Sequence, residues 1–505
     1  MKMKFSLLHK IPETAKHCEV IYDLSSDKAI HMMCNDIRRA DYFISTLMKP
    51  LTNLENIRYR QDILKDFTGI EKLFDDMKLI FNRYDKIKND WRELRSGIYP
   101  AGGTVNQRAL LEYTFNSLKV TAIFPKTIIS FFRSIQDTLN KYDIKSDGLL
   151  EFKRYCGEMI ENNSLIEIAD IAAMFQYNTP ENFDFHIAAR LDETLALSAC
   201  DLSDITEHKA EQNTNVFKKM FGKKKTTDDG FINVADEDGD AVDDAIGILN
   251  EALHHIDAAL TYVTNDVYEI FYGVSSELQF YEIALQIMNF ARNKGTAFNF
   301  PDVLPCEADK FTASGMYDIL LICEGVKKEN LITNDVSLQS ENNGLLIRGL
   351  NKTGKTAYLR AVGLSQLFAQ AGMPVCADSA EISIRSAVYS HFSSAEEEFK
   401  AGDTAGRFEG EVQAVSKIID DIKPYSLILL NETFQTTAYS EGTDGIFHIL
   451  EIMPYDKVKS KFVFVTRLNG LFDLMKDNNL SVKFLEAGHD ANLYRISDVQ
   501  LHKKQ

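Results

Sequence analysis

The chain has 505 residues, enough for two to four domains of ordinary size. Hydrophobic residues make up 45% and charged residues 26%, which excludes a mainly disordered, collagenous or disulfide-scaffold protein. The formal net charge is −18, so nucleic acid could be bound only through a local basic surface.

MKMKFSLLHKIPE opens the chain with too short an apolar stretch for a signal peptide. No apolar run is long enough for a membrane helix. The seven cysteines are scattered, with no C-x-x-C pair, which fits reduced thiols in a cytosol and no metal site. Trp91 is expected in core or interface packing.

Residues 140–205 carry an apolar, mostly helical pattern that includes Leu149, Phe152, Met159, Ile168, Ile171, Phe175, Leu191 and Leu195. A charged segment at about 206–245 follows, with Lys218, Lys219 and Lys223–Lys225 ahead of a run of aspartates. It reads as a flexible tip joining two antiparallel helices, either touching phosphates or simply solvated. Its aspartates do not fit a calcium-binding EF-hand loop.

Ile246, Leu249, Leu253, Ile256, Leu260, Val263, Val267, Ile270 and Val274 then keep an unbroken 3-4 spacing. That predicts a helix of roughly 40 Å, one member of a bundle or an extended arm. After Gly273 the register is expected to slip. His254 and His255 are adjacent, do not share a helix face, and predict no metal pair.

From about residue 331 short apolar strands alternate with helices. GLLIRG, SLILL and KFVFVT read as buried parallel strands. The fold class is therefore α plus α/β: a helical N-terminal part and a C-terminal domain with a mainly parallel sheet.

The strongest motif is Gly349-Leu350-Asn351-Lys352-Thr353-Gly354-Lys355-Thr356, which satisfies G-x-x-x-x-G-K-[S/T]. A strand precedes it and a helix-compatible run beginning at Ala357 follows. Backbone N–H groups of such a loop and helix start face phosphates, and glycine lets the backbone approach. Lys355 is expected between the β- and γ-phosphates of ATP, and Thr356 on Mg²⁺. About 75 residues on, Ser426-Leu-Ile-Leu-Leu430 ends in Asn431-Glu432. The first polar residue of this second motif is normally Asp. Asn431 keeps the oxygen acceptor for Mg²⁺ and loses the charge. Glu432 is placed to orient and activate the attacking water.

With these residues in view, the chain resembles the MutS family of DNA mismatch-repair ATPases. Thr333-Asn334-Asp335-Val336-Ser337-Leu338, the P-loop segment, and SLILLNETFQTTAYSEG carry the resemblance, with Thr437, Glu441 and Gly442 in step with the family pattern. Phe408-Glu-Gly-Glu411 resembles its F-x-x-E. LMKPLTNLENIRYRQDIL resembles the start of its helical core. The resemblance is strong at 41–64 and 331–470.

It implies a helical core at 1–145, lever helices at 146–300 with a charged tip, and a MutS-type P-loop ATPase domain at 301–505. It also implies ATP and Mg²⁺ as cofactors and a cytoplasmic homodimer whose ATPase faces complete each other's sites. The family's class of activity is DNA repair with mismatched-DNA binding. This chain departs from the pattern in several places. No room is left for the N-terminal mismatch-reading domain, so the expected ligand is duplex or branched DNA. Arg407 stands where the trans-acting loop usually has Thr, as an arginine finger toward the neighbour's γ-phosphate or as a surface arginine. Thr466-Arg467 replaces the usual Thr-His, and Arg467 is a candidate to contact the γ-phosphate but cannot act as a neutral imidazole. The rival reading is a nucleotide-controlled assembly factor with little hydrolysis and no DNA role. A chromosome-maintenance type of arm ATPase ranks last, because no L-S-G-G-Q is present.

Overall fold

A computed structural model describes residues 5–96, 106–176, 178, 183–191, 197–207, 239–393, 404–435, 439–453, 455–478, 480–489 and 493–499. The chain divides into two units. One comprises Met1–Phe5, Ile70–Ile144 and Leu149–Ser275; the other comprises Ser6–Gly69, Lys145–Gly148 and Ser276–Gln505.

The second unit takes up the chain first, with α1 (Ile37–Leu47) and α2 (Leu54–Gly69). Asp36 caps α1 by accepting from the N–H groups of Arg38 and Arg39. The first unit then contributes α3 (Leu73–Ser96), α4 (Gln107–Thr121), α5 (Phe124–Asn140), most of α6 (Asp147–Ile160) and α7 (Asn163–Gln176). Its core is aromatic. Phe271 lies 4.0 Å from Tyr84, 4.4 Å from Phe131 and 4.7 Å from Phe81, centroid to centroid. Trp91 is buried against Phe124.

Residues 183–207 correct the helical expectation. Phe183–Leu191 (β1) and Leu197–Glu207 (β2) form an antiparallel hairpin. Phe183, Phe185 and Ile187 alternate with Asp184 and His186, a two-residue period that a strand satisfies and a helix does not. Most of the charged tip, 208–238, lies outside the described residues.

The 56-residue α8 (Gly239–Lys294) follows. Its buried face runs Ile246, Leu249, Leu253, Asp257, Leu260, Thr264, Val267, Phe271, Val274, Leu278 and Tyr281. The spacing passes Gly273 without a slip, against expectation. Asp257 and Thr264 occupy fully covered positions, whereas Ile256 and Val263 are only partly covered. Within the first unit the Asp257 carboxylate accepts from Ser117 (2.9 Å), Thr121 (2.9 Å) and Arg95 (3.1 Å), so its burial is compensated.

The second unit continues with two sheets. Asp302–Leu304 (β3), Phe311–Met316 (β4), Asn334–Leu338 (β5) and Ser379–Ser383 (β7) form a four-stranded sheet in the order β3-β7-β4-β5. Its β4 runs antiparallel to both neighbours. The six-stranded sheet has the order β12-β11-β6-β10-β9-β8, built from Gly344–Arg348 (β6), Val388–Phe392 (β8), Leu427–Asn431 (β9), Lys461–Thr466 (β10), Val482–Ala487 (β11) and Ile496–Asp498 (β12). Only the β11–β12 pair is antiparallel. Every residue of β10 is buried, as the continuous apolar run requires for a central parallel strand. Helices α9 (Lys355–Gln370), α10 (Thr404–Asp420), α11 (Tyr439–Ile452) and α12 (Asn469–Asp477) complete this α/β part.

The N-terminal segment packs onto the same part. The Gln370 side chain, at the end of α9, donates to the Leu51 carbonyl at 2.7 Å. Gly372, at φ +77°, lets the chain pass where a Cβ would stand 2.9 Å from the Ile57 carbonyl oxygen.

Candidate functional site

Strand β6 lies between β11 and β10, with Leu345–Ile347 fully buried, and ends at Arg348. The chain then turns through Gly349 (φ +155°), Lys352 (φ +61°) and Gly354 (φ +90°) before α9 begins at Lys355. A Cβ on Gly349 would stand 2.7 Å from that of Ala487, so this position takes no side chain without a shift. Leu350, Asn351 and Lys352 form the exposed crest of the loop, while Thr353 and Lys355 are buried beneath it. The Thr353 hydroxyl donates to the Leu350 carbonyl at 2.8 Å. Lys355 Nζ donates to the carbonyls of Gly349 (2.9 Å) and Leu350 (2.7 Å), which curls the loop around the ammonium. Burial lowers the Lys355 pKa from its ordinary value; the Glu432 charge opposes that shift and the Arg467 charge adds to it.

Thr356, in the first turn of α9 beside Ala357, donates its hydroxyl to Asn431 Oδ1 at 3.2 Å. Asn431 ends β9 and pairs with Val465 of β10. This bond brings together the two sequence motifs, 75 positions apart, across the C-terminal edge of the sheet. Glu432 follows at φ +52°, held there as its N–H donates to the Val465 carbonyl at 2.8 Å. Its carboxylate sits 3.2 Å from Arg467 Nη2.

Three contributors were not assigned roles from sequence. Gln435 accepts from Arg467 Nε at 2.6 Å and donates to the Thr466 hydroxyl at 3.3 Å. The buried Glu411, on α10, accepts from the Phe434 N–H (2.8 Å) and the Ser393 hydroxyl (2.5 Å). It thereby ties the turn after β9 to that helix, and the F-x-x-E spacing was the signal that could have found it. His391 Nδ1 lies 2.9 Å from the Thr433 hydroxyl, and burial lowers its pKa. Arg407 falls on α10, with its side chain outside the described residues, as is Thr437.

The arrangement places a buried cation, a hydroxyl, an amide oxygen and a carboxylate around the mouth of one glycine loop. The hydroxyl of Thr356 and the amide oxygen of Asn431 are hard oxygen donors of the kind Mg²⁺ takes, together with waters and phosphate oxygens. Among the described residues there is no cluster of three or more His, Cys, Asp or Glu able to hold a metal by itself. Nor, among them, is any helix long and apolar enough to cross a membrane.

The family MutS domain V matches residues 345–501. The chain is 24% identical over 482 residues to the DNA mismatch repair protein MutS of Streptococcus mutans, covering 89% of this chain and 54% of that protein. It is 32% identical over 177 residues to the protein of the same name from Finegoldia magna, covering 34% of this chain and 20% of the relative. For the Streptococcus thermophilus protein the figures are 31% over 176 residues, 35% and 20%. The matches thus span between about a fifth and about half of these relatives' lengths.

Proposed function

The chain belongs to the MutS family, and from that membership we propose that it binds and slowly hydrolyses ATP and couples its nucleotide state to duplex or branched DNA. The observation that supports this most is the Thr356–Asn431 bond, which sets the glycine loop against the strand end bearing Glu432. In this reading the loop from Gly349 to Ala357 wraps the phosphates with its backbone N–H groups, and Lys355 turns its ammonium from loop carbonyls to the β- and γ-phosphates. Thr356 and Asn431 would hold Mg²⁺, which would supply charge neutralisation at the phosphates. Glu432 takes a proton from the attacking water. The water's oxygen bonds to the γ-phosphorus, and the bridging oxygen leaves with the bonding pair as ADP. Arg407 serves the neighbour's site in a homodimer made through the ATPase faces.

The same reading assigns 1–145 to a helical core, 146–300 to levers that are helical outside the β1–β2 pair, and 301–505 to the P-loop ATPase domain. The long α8 is the element suited to carry motion toward a DNA-facing tip at about 206–245. It places the protein in DNA repair, in the cytoplasm. Two observations favour a second reading, a nucleotide-controlled assembly factor without a DNA role. Asn431 lacks the charge usual at its position, and Arg467 occupies the Glu432 carboxylate.

Steady-state ATP hydrolysis with Mg²⁺, with and without duplex and branched DNA, decides between them beside a Glu432→Gln control. Turnover that is lost in the control and stimulated by DNA supports the first reading. ATP binding with no turnover above the control and no DNA response supports the second.

A further inference from the structure

Strands β9 and β10 end side by side, with Asn431 opposite Val465. Glu432 follows the end of β9, and β10 ends at Thr466 with Arg467 next. The Arg467 guanidinium is therefore delivered onto Glu432 by the register of the sheet. It bridges two acceptors: Glu432 Oε2 at 3.2 Å through Nη2, and Gln435 Oε1 at 2.6 Å through Nε. Gln435 is itself fixed by the Thr466 hydroxyl. The buried ammonium of Lys355, in the glycine loop, feels both charges. Two cations and one carboxylate thus converge on the mouth of the glycine loop.

The Glu432 oxygen engaged by the guanidinium is not open to accept a hydrogen bond from a water. The pair is also easy to part. The Arg467 side chain is 45% exposed and that of Glu432 26%, and partly solvated ion pairs are weak. A terminal phosphate offers a guanidinium more charge and a matching pair of oxygens. A diphosphate ends one phosphate short.

We propose that Arg467 is a positioning residue that holds Glu432 until the γ-phosphate of a bound triphosphate draws the guanidinium away, which frees the carboxylate for water. The exchange makes Glu432 available only when there is a phosphate to cleave. It rests on the nucleotide-binding reading given above.

The test is equilibrium binding of Mg²⁺-ADP and of the non-hydrolysable Mg²⁺-AMP-PNP to the full chain by isothermal titration. Four proteins are compared: wild type, Glu432→Gln, Arg467→Ala and the double variant, each checked for folding by thermal melting. Arg467→Ala is expected to lower AMP-PNP affinity about tenfold more than ADP affinity. Glu432→Gln removes the competitor and is expected to raise AMP-PNP affinity about threefold or more relative to ADP, a gain that vanishes in the double variant. Arg467→Lys keeps the charge without the planar fork and should fall between. If wild type binds both nucleotides and the variants shift them equally, or the Glu432→Gln gain survives without Arg467, the exchange is overturned while nucleotide binding stands. If wild type binds neither, the nucleotide reading itself fails, and the exchange with it.

Discussion

Two lysines sit at opposite ends of the six-stranded sheet, both buried, both with pKa values lowered by desolvation. Lys461 opens β10 and donates to the carbonyls of Gln339, Ser340 and Asn342. Asp309 lies 3.0 Å from it and also holds the fully buried Arg385 at 2.7 Å. Lys355, past the other end of β6, likewise donates to loop carbonyls, but the carboxylate nearest in effect, Glu432, is committed to Arg467. The burial is similar and the partner differs. A lysine matched by a buried carboxylate cements the fold, whereas a lysine held only by carbonyls of its own loop can turn to a ligand anion.

The largest expected effect comes from removing the shared carboxylate. Asp309 sits at φ +47°, which Asn tolerates and Ala does not, so Asp309→Asn isolates the charge. It removes the counter-ion shared by two buried cations, one of them Arg385, whose Nε and Nη2 already have no hydrogen-bond partner among the described residues. The expected loss is about 3–5 kcal/mol in denaturant unfolding. A loss below about 1 kcal/mol would mean that Asp309 does not hold the two cations in the fold.

Lys355→Met should do the reverse. Folding stability is expected to move by about 1 kcal/mol or less, because a buried cation is replaced by an apolar chain of similar length. ATP affinity is expected to fall about 10- to 100-fold, the loss of charge-assisted bonds to phosphate. Titration with ATP and a denaturant curve on the same protein read both.

Asn431→Asp gives the Lys355 end a second carboxylate. With Mg²⁺, nucleotide binding should tighten about 3- to 10-fold, since the metal gains a charged ligand. Without Mg²⁺ it should weaken, because the new charge faces phosphate. A change of the same sign in both conditions would show that residue 431 does not act through the metal.

How much of this was legible in the sequence follows from how local each feature is. The glycine loop, Lys355 and Thr356 are one contiguous motif, and GLLIRG, SLILL and KFVFVT announce buried parallel strands because both faces must be apolar. The Arg467–Glu432–Gln435 cluster was not legible, since it depends on the register between two strands. The β3-β7-β4-β5 sheet was missed for another reason: its strands are short and only partly covered, so no apolar run marks them. On α8 an apolar stripe could be counted, but Asp257 could not be placed on the buried face without Ser117, Thr121 and Arg95 around it. Partners distant in sequence decide whether a polar residue is covered.

A third buried cation extends the comparison to a neutral partner. Arg60 donates through Nε to the Leu8 carbonyl at 2.7 Å, and its Nη2 lies 3.1 Å from His9 Nε2. For that nitrogen to accept, His9 must be neutral. Its pKa is lowered to about 4, first by burial and then by the Arg60 charge, with Glu13 opposing. An unfolded histidine titrates near 6.5. Between those values the unfolded chain binds more protons than the folded one, so stability falls as pH drops from about 6.5 toward 4. His9→Gln keeps an acceptor for Arg60 without the titration. The wild type should therefore lose about 1–2 °C more of Tm than His9→Gln over that interval, with the two proteins parallel above pH 7. Equal acid slopes would mean that His9 is protonated in the folded state and that Arg60 finds its compensation elsewhere.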